Sequence, residues 1–177
     1  MIGKEHAVLL SEEAIQSRVK ELGRIISADY AGVNEVLLIG VLRGCYIFFA
    51  DLSRRITVPG CIDFVVVSSY EDKTRPGALR LLLDARLDIA GKHVLLVDDI
   101  ADTGNTLAYL LNLLGERKPA SLKTCVLLRK PERLEKDVQI DYLGFDIPDL
   151  WVYGYGLDNA GKCRALPYLG FVKAEEG

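Results

Sequence analysis

Hydrophobic positions along the chain follow two patterns, which predict alternating helices and buried strands. A first helix is predicted after Ser11, because Ser11 is a good N-cap and apolar residues recur at helical spacing from Ala14 to Ile26. Continuous apolar runs indicate strands that are buried on both faces of a sheet. The predicted strands are 35–41, 62–68, 79–83, 93–98 and 122–128, and two further helices are predicted at 46–56 and 106–114.

This alternation predicts a doubly wound α/β fold with a mostly parallel sheet, flanking helices and right-handed crossovers. The polar segment 71–77 contains Pro76 and Gly77 and is expected to form an exposed loop. The C-terminal part of the chain consists of short aromatic runs broken by Gly and Pro. We therefore expect a single domain over residues 1–177, with a core at about 11–135 and a small hood at about 136–177 that includes the N-terminal few residues.

Composition excludes several classes of protein. Half of the residues are hydrophobic, which excludes a disordered chain, yet no apolar run reaches the ~18 residues of a membrane span. The 22 basic and 25 acidic residues form no basic stripe, which argues against nucleic acid as a partner. The four cysteines contain no C-x-x-C pair, and no secretory signal is evident, so we expect a cytoplasmic protein.

The strand predicted at 93–98 carries acidic side chains at its carboxyl end, where open α/β sheets bind ligands. Asp98 and Asp99 are adjacent, and Asp102 precedes the small and polar residues 103–106 that open the next helix. Backbone N–H groups and hydroxyls at a helix N-terminus predict a phosphate site. Two carboxylates before it suit the vicinal hydroxyls of a sugar or a magnesium ion. A ribose with a 5-phosphate would satisfy both halves of the segment.

The alternative interpretation is an ordinary strand-to-helix turn in which Asp102 or Thr103 caps the helix. It does not explain the adjacent carboxylates of Asp98 and Asp99, which repel each other without a ligand or a cation. The whole segment 94–106 therefore favours the phosphate site.

Residues 94–106 (VLLVDDIADTGNT) resemble the signature of the type I phosphoribosyltransferases. The similarity extends over nearly the whole chain, and four further features resemble the hypoxanthine-guanine branch: GVLRGC at 40–45, Ser69-Tyr70 before a polar loop, LLRKP at 127–131, and GFDIPDLWVYGYGLD at 144–158 followed by Arg164. The resemblance implies purine salvage. The 5-phosphoribosyl group of phosphoribosyl pyrophosphate would be transferred to N9 of hypoxanthine or guanine, giving IMP or GMP and pyrophosphate.

The resemblance implies a role for each residue of the acidic segment. Asp98 and Asp99 would hold the ribose hydroxyls, although Asp98 stands where many relatives have Glu and would reach the ribose or a metal only through water. Asp102 would face N7 of the purine as general base or charge stabiliser. The implied 5-phosphate site is formed by Asp102, Thr103, Gly104, Asn105 and Thr106.

Pyrophosphate, purine and metal sites are implied in the same way. Pyrophosphate would be held by Leu42, Arg43, Gly44, Ser69, Tyr70 and Arg164, with a cis peptide expected at Leu42–Arg43 and a lid in the loop after Tyr70. The purine would contact Lys130 through O6, Trp151 by stacking, Val152 and Asp158. Mg²⁺ is the implied cofactor, with Asp158 and Asp98 as ligands. Relatives form homodimers or homotetramers, so a homo-oligomer is expected.

Three other functions fit parts of the pattern. A phosphoribosyltransferase for xanthine, uracil or adenine stays open. A non-catalytic nucleotide- or RNA-binding regulator with the same fold should show a basic face or an added module, and neither is visible. A phosphoreceiver domain also ends a strand in V-D-D. In such a domain the acids lie on the first strand, and a domain of about 120 residues follows them. Only 78 residues follow Asp99 here, which argues against this class.

Overall fold

The computed structural model of the chain describes residues 6–72 and 75–172, except for the side chains of residues 6, 69–72 and 75–78. Within these ranges no helix is long and apolar enough to cross a membrane. The elements are β1 (His6–Leu10), α1 (Glu12–Asp29), β2 (Val36–Leu42), α2 (Tyr46–Ser53), β3 (Gly60–Asp72), β4 (Arg75–Leu83), β5 (His93–Ala101), α3 (Asn105–Gly115), β6 (Ser121–Arg129), a 3-10 turn (Pro131–Arg133), β7 (Tyr142–Asp146), β8 (Trp151–Tyr153) and β9 (Leu169–Val172).

The large sheet has six strands in the order β4-β3-β2-β5-β6-β7. Strands β3, β2, β5, β6 and β7 are parallel, and β4 pairs antiparallel with β3 at one edge. The predicted doubly wound, mostly parallel sheet is therefore confirmed. Its carboxyl edge carries the ends of β2, β5 and β6, which is where the sequence places its unusual residues.

Two apolar cores cover the two faces of this sheet. Leu38, Leu95 and Val97 point to the face covered by α1 and α2, and Leu37 and Leu96 point to the face covered by α3. This alternation follows from the two-residue period of a strand. It explains why β2 and β5 are apolar at every central position, and it leaves only their ends free for polar side chains.

The predicted helix starts and strand cores agree with the structure to within one or two residues, and several element ends differ. Ser11 caps α1 by accepting a hydrogen bond from the Ala14 N–H at 3.3 Å. Helix α2 ends at Ser53 rather than at 56. The expected loop at 71–77 is wrong where it is described, because Glu71 pairs with Pro76 and Asp72 with Arg75 in an antiparallel hairpin. Residues 73–74 lie outside the described residues.

The C-terminal part contributes to both sheets. Strands β1, β9 and β8 form a separate three-stranded antiparallel sheet, and we call β8, β9 and the turns between them, residues 151–172, the hood. The expected boundary at about 136 differs from the strand pairing, because β7 pairs with β6 in the large sheet. Backbone pairing at an open sheet edge decides where β7 lies, and hydrophobic pattern alone does not reveal it.

Candidate active site

The carboxyl ends of β2, β5 and β6 meet the hood around a cavity of about 690 Å³. Its polar lining includes Arg43, Asp99, Asp102, Lys130, Asp158 and Arg164. A smaller cavity of about 300 Å³ adjoins it and shares Arg43, Gly44, Asp99 and Asp102 with it. The two cavities together give one extended site in which Asp99, Asp102 and Arg43 lie at the junction, and Lys130 and Arg164 line the large cavity.

The smaller cavity ends at the N-terminus of α3. Thr103, Gly104 and Thr106 line it, and Gly104 takes a φ of 80°, a left-handed conformation that glycine adopts without strain. No side chain caps α3. The Asn105 N–H donates to Thr103 Oγ1 at 3.4 Å, and the other amides of the first turn remain available to an anion, which the helix dipole also favours.

Asp98 and Asp99 lie side by side in different surroundings. Asp98 is only 4% exposed and accepts a hydrogen bond from the Asp99 N–H at 2.9 Å. Burial raises the pKa of the Asp98 carboxyl, and the neighbouring Asp99 raises it further. Asp99 is half-buried and reaches both cavities. Burial also raises the pKa of Asp99, while hydrogen bonds and the positive charge of Arg164 oppose that shift.

The loop after β2 lies directly against Asp99. The expected cis peptide at Leu42–Arg43 is confirmed. A Cβ atom on Gly44 would overlap the Asp99 carboxylate, so this close approach requires glycine. On the other side, Gly156 (φ 107°) packs against the Gly44 carbonyl so closely that it also has no room for a Cβ. The loop 42–44 is therefore held between the acid strand and the hood.

Hydrogen bonds within the hood and to two helices hold its first turn in place. Arg164 donates to the Gly156 carbonyl at 2.7 Å and to Asp158 Oδ1 at 2.6 Å. The hydroxyl of the buried Tyr155 donates to Asp51 on α2 at 2.7 Å. Gln16 on α1 also donates to Asp51, at 2.8 Å. The bonds of Arg164 therefore hold the turn together within the hood, and the Tyr155–Asp51 bond ties the hood to α2 and, through Gln16, to α1.

A cation, a carboxylate and an aromatic ring lie together at the far end of the large cavity. Lys130, at the end of β6, is only 6% exposed. Its Nζ lies 3.5 Å from Asp102 Oδ2 and 3.3 Å from Asp149 Oδ1. Trp151 is 64% exposed and lines the cavity beside the buried Val152. A flat ring with a polar edge fits this combination of groups.

Comparison with known proteins agrees with this geometry. A family model described as "Phosphoribosyl transferase domain" matches residues 8–160. The hypoxanthine-guanine phosphoribosyltransferase of Dictyostelium discoideum is 45% identical over 172 residues, which cover 95% of this chain and 96% of that protein. The chain belongs to the phosphoribosyltransferase family, in its hypoxanthine-guanine branch.

Further members of the branch are equally similar. The hypoxanthine phosphoribosyltransferase of Salmonella typhimurium is 46% identical over 167 residues, covering 93% of this chain and 94% of that one. A crystal structure of a hypoxanthine-guanine phosphoribosyltransferase from Bacillus anthracis has a TM-score of 0.89 and 44% identity, covering 94% of this chain and 98% of the other. Both sequence and fold therefore support the assignment to this branch of the phosphoribosyltransferases.

Most of the residues expected to form the phosphoribosyltransferase site come together around the two cavities. They are Leu42, Arg43, Gly44, Asp98, Asp99, Asp102, Thr103, Gly104, Thr106, Lys130, Trp151, Val152, Asp158 and Arg164. Asn105 is different: its amide donates to Thr103 Oγ1 at 3.0 Å and to Glu135 at 3.2 Å, so it faces the segment after β6. The side chains of Ser69 and Tyr70 lie outside the described residues.

The sequence analysis missed two charged residues beside Lys130. Arg133 and Asp149 both contact the Lys130–Asp102 pair. The available signal was the position of Arg133, three residues after Lys130 and two after Pro131, which places both cations on one turn. Asp149 lies within the aromatic C-terminal run, and no spacing rule connects it to Lys130.

The carboxylates of this phosphoribosyltransferase site fit a magnesium ion bound together with a phosphorylated ligand. No group of three metal-binding side chains occurs among the described residues. Mg²⁺ commonly binds through one or two carboxylates, several waters and substrate phosphates. Asp158 lines the large cavity, which suits this mode. Asp98 is buried and lines only the smaller cavity, so the contact with a metal that is expected of it would run through water.

Asp98→Asn should stabilise the fold at neutral pH. Because the folded pKa of Asp98 is raised, its charge destabilises the folded state above that pKa, and this cost disappears as pH falls toward the unfolded value. Asn keeps the acceptor for the Asp99 N–H. We expect a gain of about 1–2 kcal/mol, or ~2–8 °C in Tm, at pH 7.5.

Scanning calorimetry between pH 4 and pH 8 tests this expectation, with Asp137→Asn at an exposed position as the matched control. The Tm difference between the Asp98 variant and the wild type should shrink as the pH is lowered. A variant less stable than the wild type at pH 7.5 would contradict the expectation.

Proposed function

We propose that the protein transfers the 5-phosphoribosyl group of phosphoribosyl pyrophosphate to N9 of hypoxanthine or guanine, giving IMP or GMP and pyrophosphate. One observation carries the proposal. The buried Lys130, the Asp102 carboxylate and the exposed Trp151 ring line one cavity, and the uncapped N-terminus of α3 lies beyond the acid strand end. A purine between Lys130 and Trp151, with a 5-phosphate at the N-terminus of α3, would place the ribose over Asp99.

The sugar phosphate is the first part of the proposed complex. Backbone amides at 103–106 and the hydroxyls of Thr103 and Thr106 would hold the 5-phosphate. Asp99 would accept hydrogen bonds from the ribose hydroxyls, and its position in both cavities supports this role. Asp98 lies behind it and would act on the ribose only indirectly, since it is buried.

The pyrophosphate would lie between the loop 42–44 and the hood. Arg43 is exposed into both cavities, and Arg164 is held by Gly156 and Asp158 with its guanidinium at the large cavity. These two cations would stabilise the charge that develops on the leaving group. Magnesium, when bound at Asp158 and the pyrophosphate oxygens, would supply further charge stabilisation.

The purine would be recognised by its 6-oxo group. Lys130 carries only donors, so it can bind O6 of hypoxanthine or guanine but meets a donor at the amino group of adenine. Burial makes such a mismatch costly, because the ammonium N–H that points at the purine would then have no acceptor. Trp151 would stack on the purine ring, which is commonly worth about 1–3 kcal/mol.

Asp102 would act as the proton acceptor. As the bond between the anomeric carbon and pyrophosphate breaks, the sugar approaches an oxocarbenium-like state, and N9 attacks from the opposite face with inversion. Positive charge collects on the imidazole half of the purine, and the N7 proton passes to the Asp102 carboxylate. A positioned base of this kind commonly contributes ~10²–10⁴-fold to the rate.

Activity with a second class of base is the nearest alternative. Xanthine shares the 6-oxo group with hypoxanthine and guanine, so Lys130 does not discriminate against it. Uracil and adenine lack either the purine ring or the 6-oxo group. A non-catalytic regulator with the same fold would bind phosphoribosyl pyrophosphate without turnover.

A steady-state assay with phosphoribosyl pyrophosphate, Mg²⁺ and each of hypoxanthine, guanine, xanthine, adenine and uracil tests the proposal. We expect kcat/KM for hypoxanthine or guanine to exceed that for adenine by at least about 10³-fold. Chelation by EDTA should abolish turnover, and Mg²⁺ should restore it. Turnover of adenine or uracil alone, or binding without turnover, would contradict the proposal.

We further propose that the enzyme is a homo-oligomer and that it acts in the cytoplasm. The oligomer stays a prediction from the resemblance to the family, and the location stays a prediction from the cysteine pattern and the start of the sequence. The exposed aromatic and aliphatic side chains of the described residues define no single interface.

A further inference from the structure

The two oxygens of the Asp102 carboxylate have different surroundings. Oδ2 lies 3.5 Å from the Lys130 ammonium. Oδ1 is buried, and no described residue makes a hydrogen bond of good geometry with it. It forms an ion pair with Arg133, whose Nε lies 2.5 Å away. Arg133, which has no role in the proposed reaction, therefore balances the negative charge on the buried oxygen of the proposed base.

Arg133 also contacts a second carboxylate. Its Nη1 lies 3.3 Å from Asp149 Oδ2, and Asp149 Oδ1 lies 3.3 Å from the Lys130 ammonium. Asp102, Arg133, Asp149 and Lys130 thus form a closed ring of two acids and two bases in alternation, which we call the charge ring. Each charge in it has two neighbours of opposite sign, so a displacement of one member affects the other three.

The backbone holds Arg133 in a fixed place relative to Asp102. Arg133 closes the 3-10 turn, with its N–H donating to the Lys130 carbonyl at 3.1 Å. The segment that follows is tied to the acid loop, because the N–H groups of Glu135 and Lys136 donate to the Thr103 carbonyl at 3.0 and 3.2 Å. The guanidinium therefore approaches Asp102 from a segment that cannot move independently of it.

We propose that Arg133 is a positioning residue for the transfer reaction. By binding Oδ1 it holds the Asp102 carboxylate with Oδ2 toward the purine, and through Asp149 it holds the Lys130 ammonium toward O6. The inference rests on the proposed function, which supplies the roles of Asp102 and Lys130. A planar guanidinium suits this task, because it can contact two carboxylates at once from one rigid fork, which an ammonium cannot do equally well.

Kinetics of Arg133→Gln, Arg133→Lys and the control Arg129→Gln test this inference. Arg129 lies four residues earlier and pairs with Asp146 outside the charge ring, with contacts of 2.6 and 2.9 Å. For Arg133→Gln we expect kcat to fall by about 10–100-fold, while the KM for phosphoribosyl pyrophosphate changes by less than about threefold. Arg133→Lys should give a kcat between those of Arg133→Gln and the wild type, because it keeps the charge but not the planar fork. Arg129→Gln should stay within about twofold of the wild type.

A double variant separates positioning from a general structural effect. In an Asp102→Asn background, Arg133→Gln should lower kcat by less than about threefold more, because residues that act as one unit are not additive. Full additivity, a kcat within twofold of wild type in Arg133→Gln, or an equal loss in Arg129→Gln would each overturn the inference. A wild-type enzyme inactive with hypoxanthine and guanine would overturn the proposed function itself, and with it this inference.

Discussion

Asp102→Asn is expected to lower kcat by about 10²–10⁴-fold while the KM for phosphoribosyl pyrophosphate stays within about threefold of the wild type. Asn has nearly the same shape as Asp and lines the same cavities, but it cannot accept the N7 proton or carry the compensating charge. In the proposed complex, Asp99 and the N-terminus of α3 would hold the sugar and the phosphate, whereas the changed carboxylate would face the purine. The variant should therefore still bind phosphoribosyl pyrophosphate, although it transfers the phosphoribosyl group slowly.

Steady-state kinetics with hypoxanthine and guanine measure this effect, and Asp137→Asn on the exposed segment before β7 is the control. The loss is expected in kcat and in kcat/KM alike, as for an interaction that acts in the transition state. An unchanged kcat would refute the assignment of Asp102 as the base. A large rise in KM at constant kcat would instead indicate a role in substrate binding.

Gly44→Ala is expected to lower kcat/KM by about 10²-fold or more, because a displacement of about 1 Å in a catalytic group can cost that much. The added methyl would occupy the space of the Asp99 carboxylate, so either that side chain or the loop 42–44 must move. Gly156 packs against the carbonyl of the same residue, which blocks retreat of the loop toward the hood.

The matched control is Gly115→Ala at the end of α3, where a new methyl meets no atom within 4 Å. We expect this control to keep wild-type kinetics, with a stability equal to or slightly above that of the wild type. Equilibrium binding of phosphoribosyl pyrophosphate, measured by titration calorimetry, should weaken in Gly44→Ala only. Wild-type kinetics in Gly44→Ala would show that the contact between the loop and Asp99 is dispensable.

The acidic segment shows how much of the candidate site could be predicted from the sequence. Asp99, Asp102, Thr103, Gly104 and Thr106 follow one buried strand and open one helix, so covalent connection alone places them at one sheet edge. Asn105 belongs to the same run but faces Glu135, because alternate positions at a helix start point in different directions. Local sequence therefore predicted that these residues meet at the start of α3, while the tertiary structure decided which of their side chains face the cavity.

The prediction of a loop at 71–77 was wrong, because it too rested on local sequence alone. Polar residues with Pro and Gly are typical of a loop, yet β3 and β4 extend into this segment as a hairpin at the edge of the sheet. Backbone hydrogen bonds form the ladder, and an edge strand tolerates polar side chains and even proline. Hydrophobic pattern, which responds to burial, carries no information about such a ladder.

By itself, the sequence determined the order of strands and helices, the cis peptide at Leu42–Arg43 through its resemblance to a family, and the acid-rich turn at the end of β5. Apolar periodicity and local turn chemistry are properties of neighbouring residues, and they can be seen in one dimension. Only the tertiary structure decided that Arg133 and Asp149 join Asp102 and Lys130 in one charge ring. Electrostatic pairing depends on distance in space, and separate segments contribute the four charges.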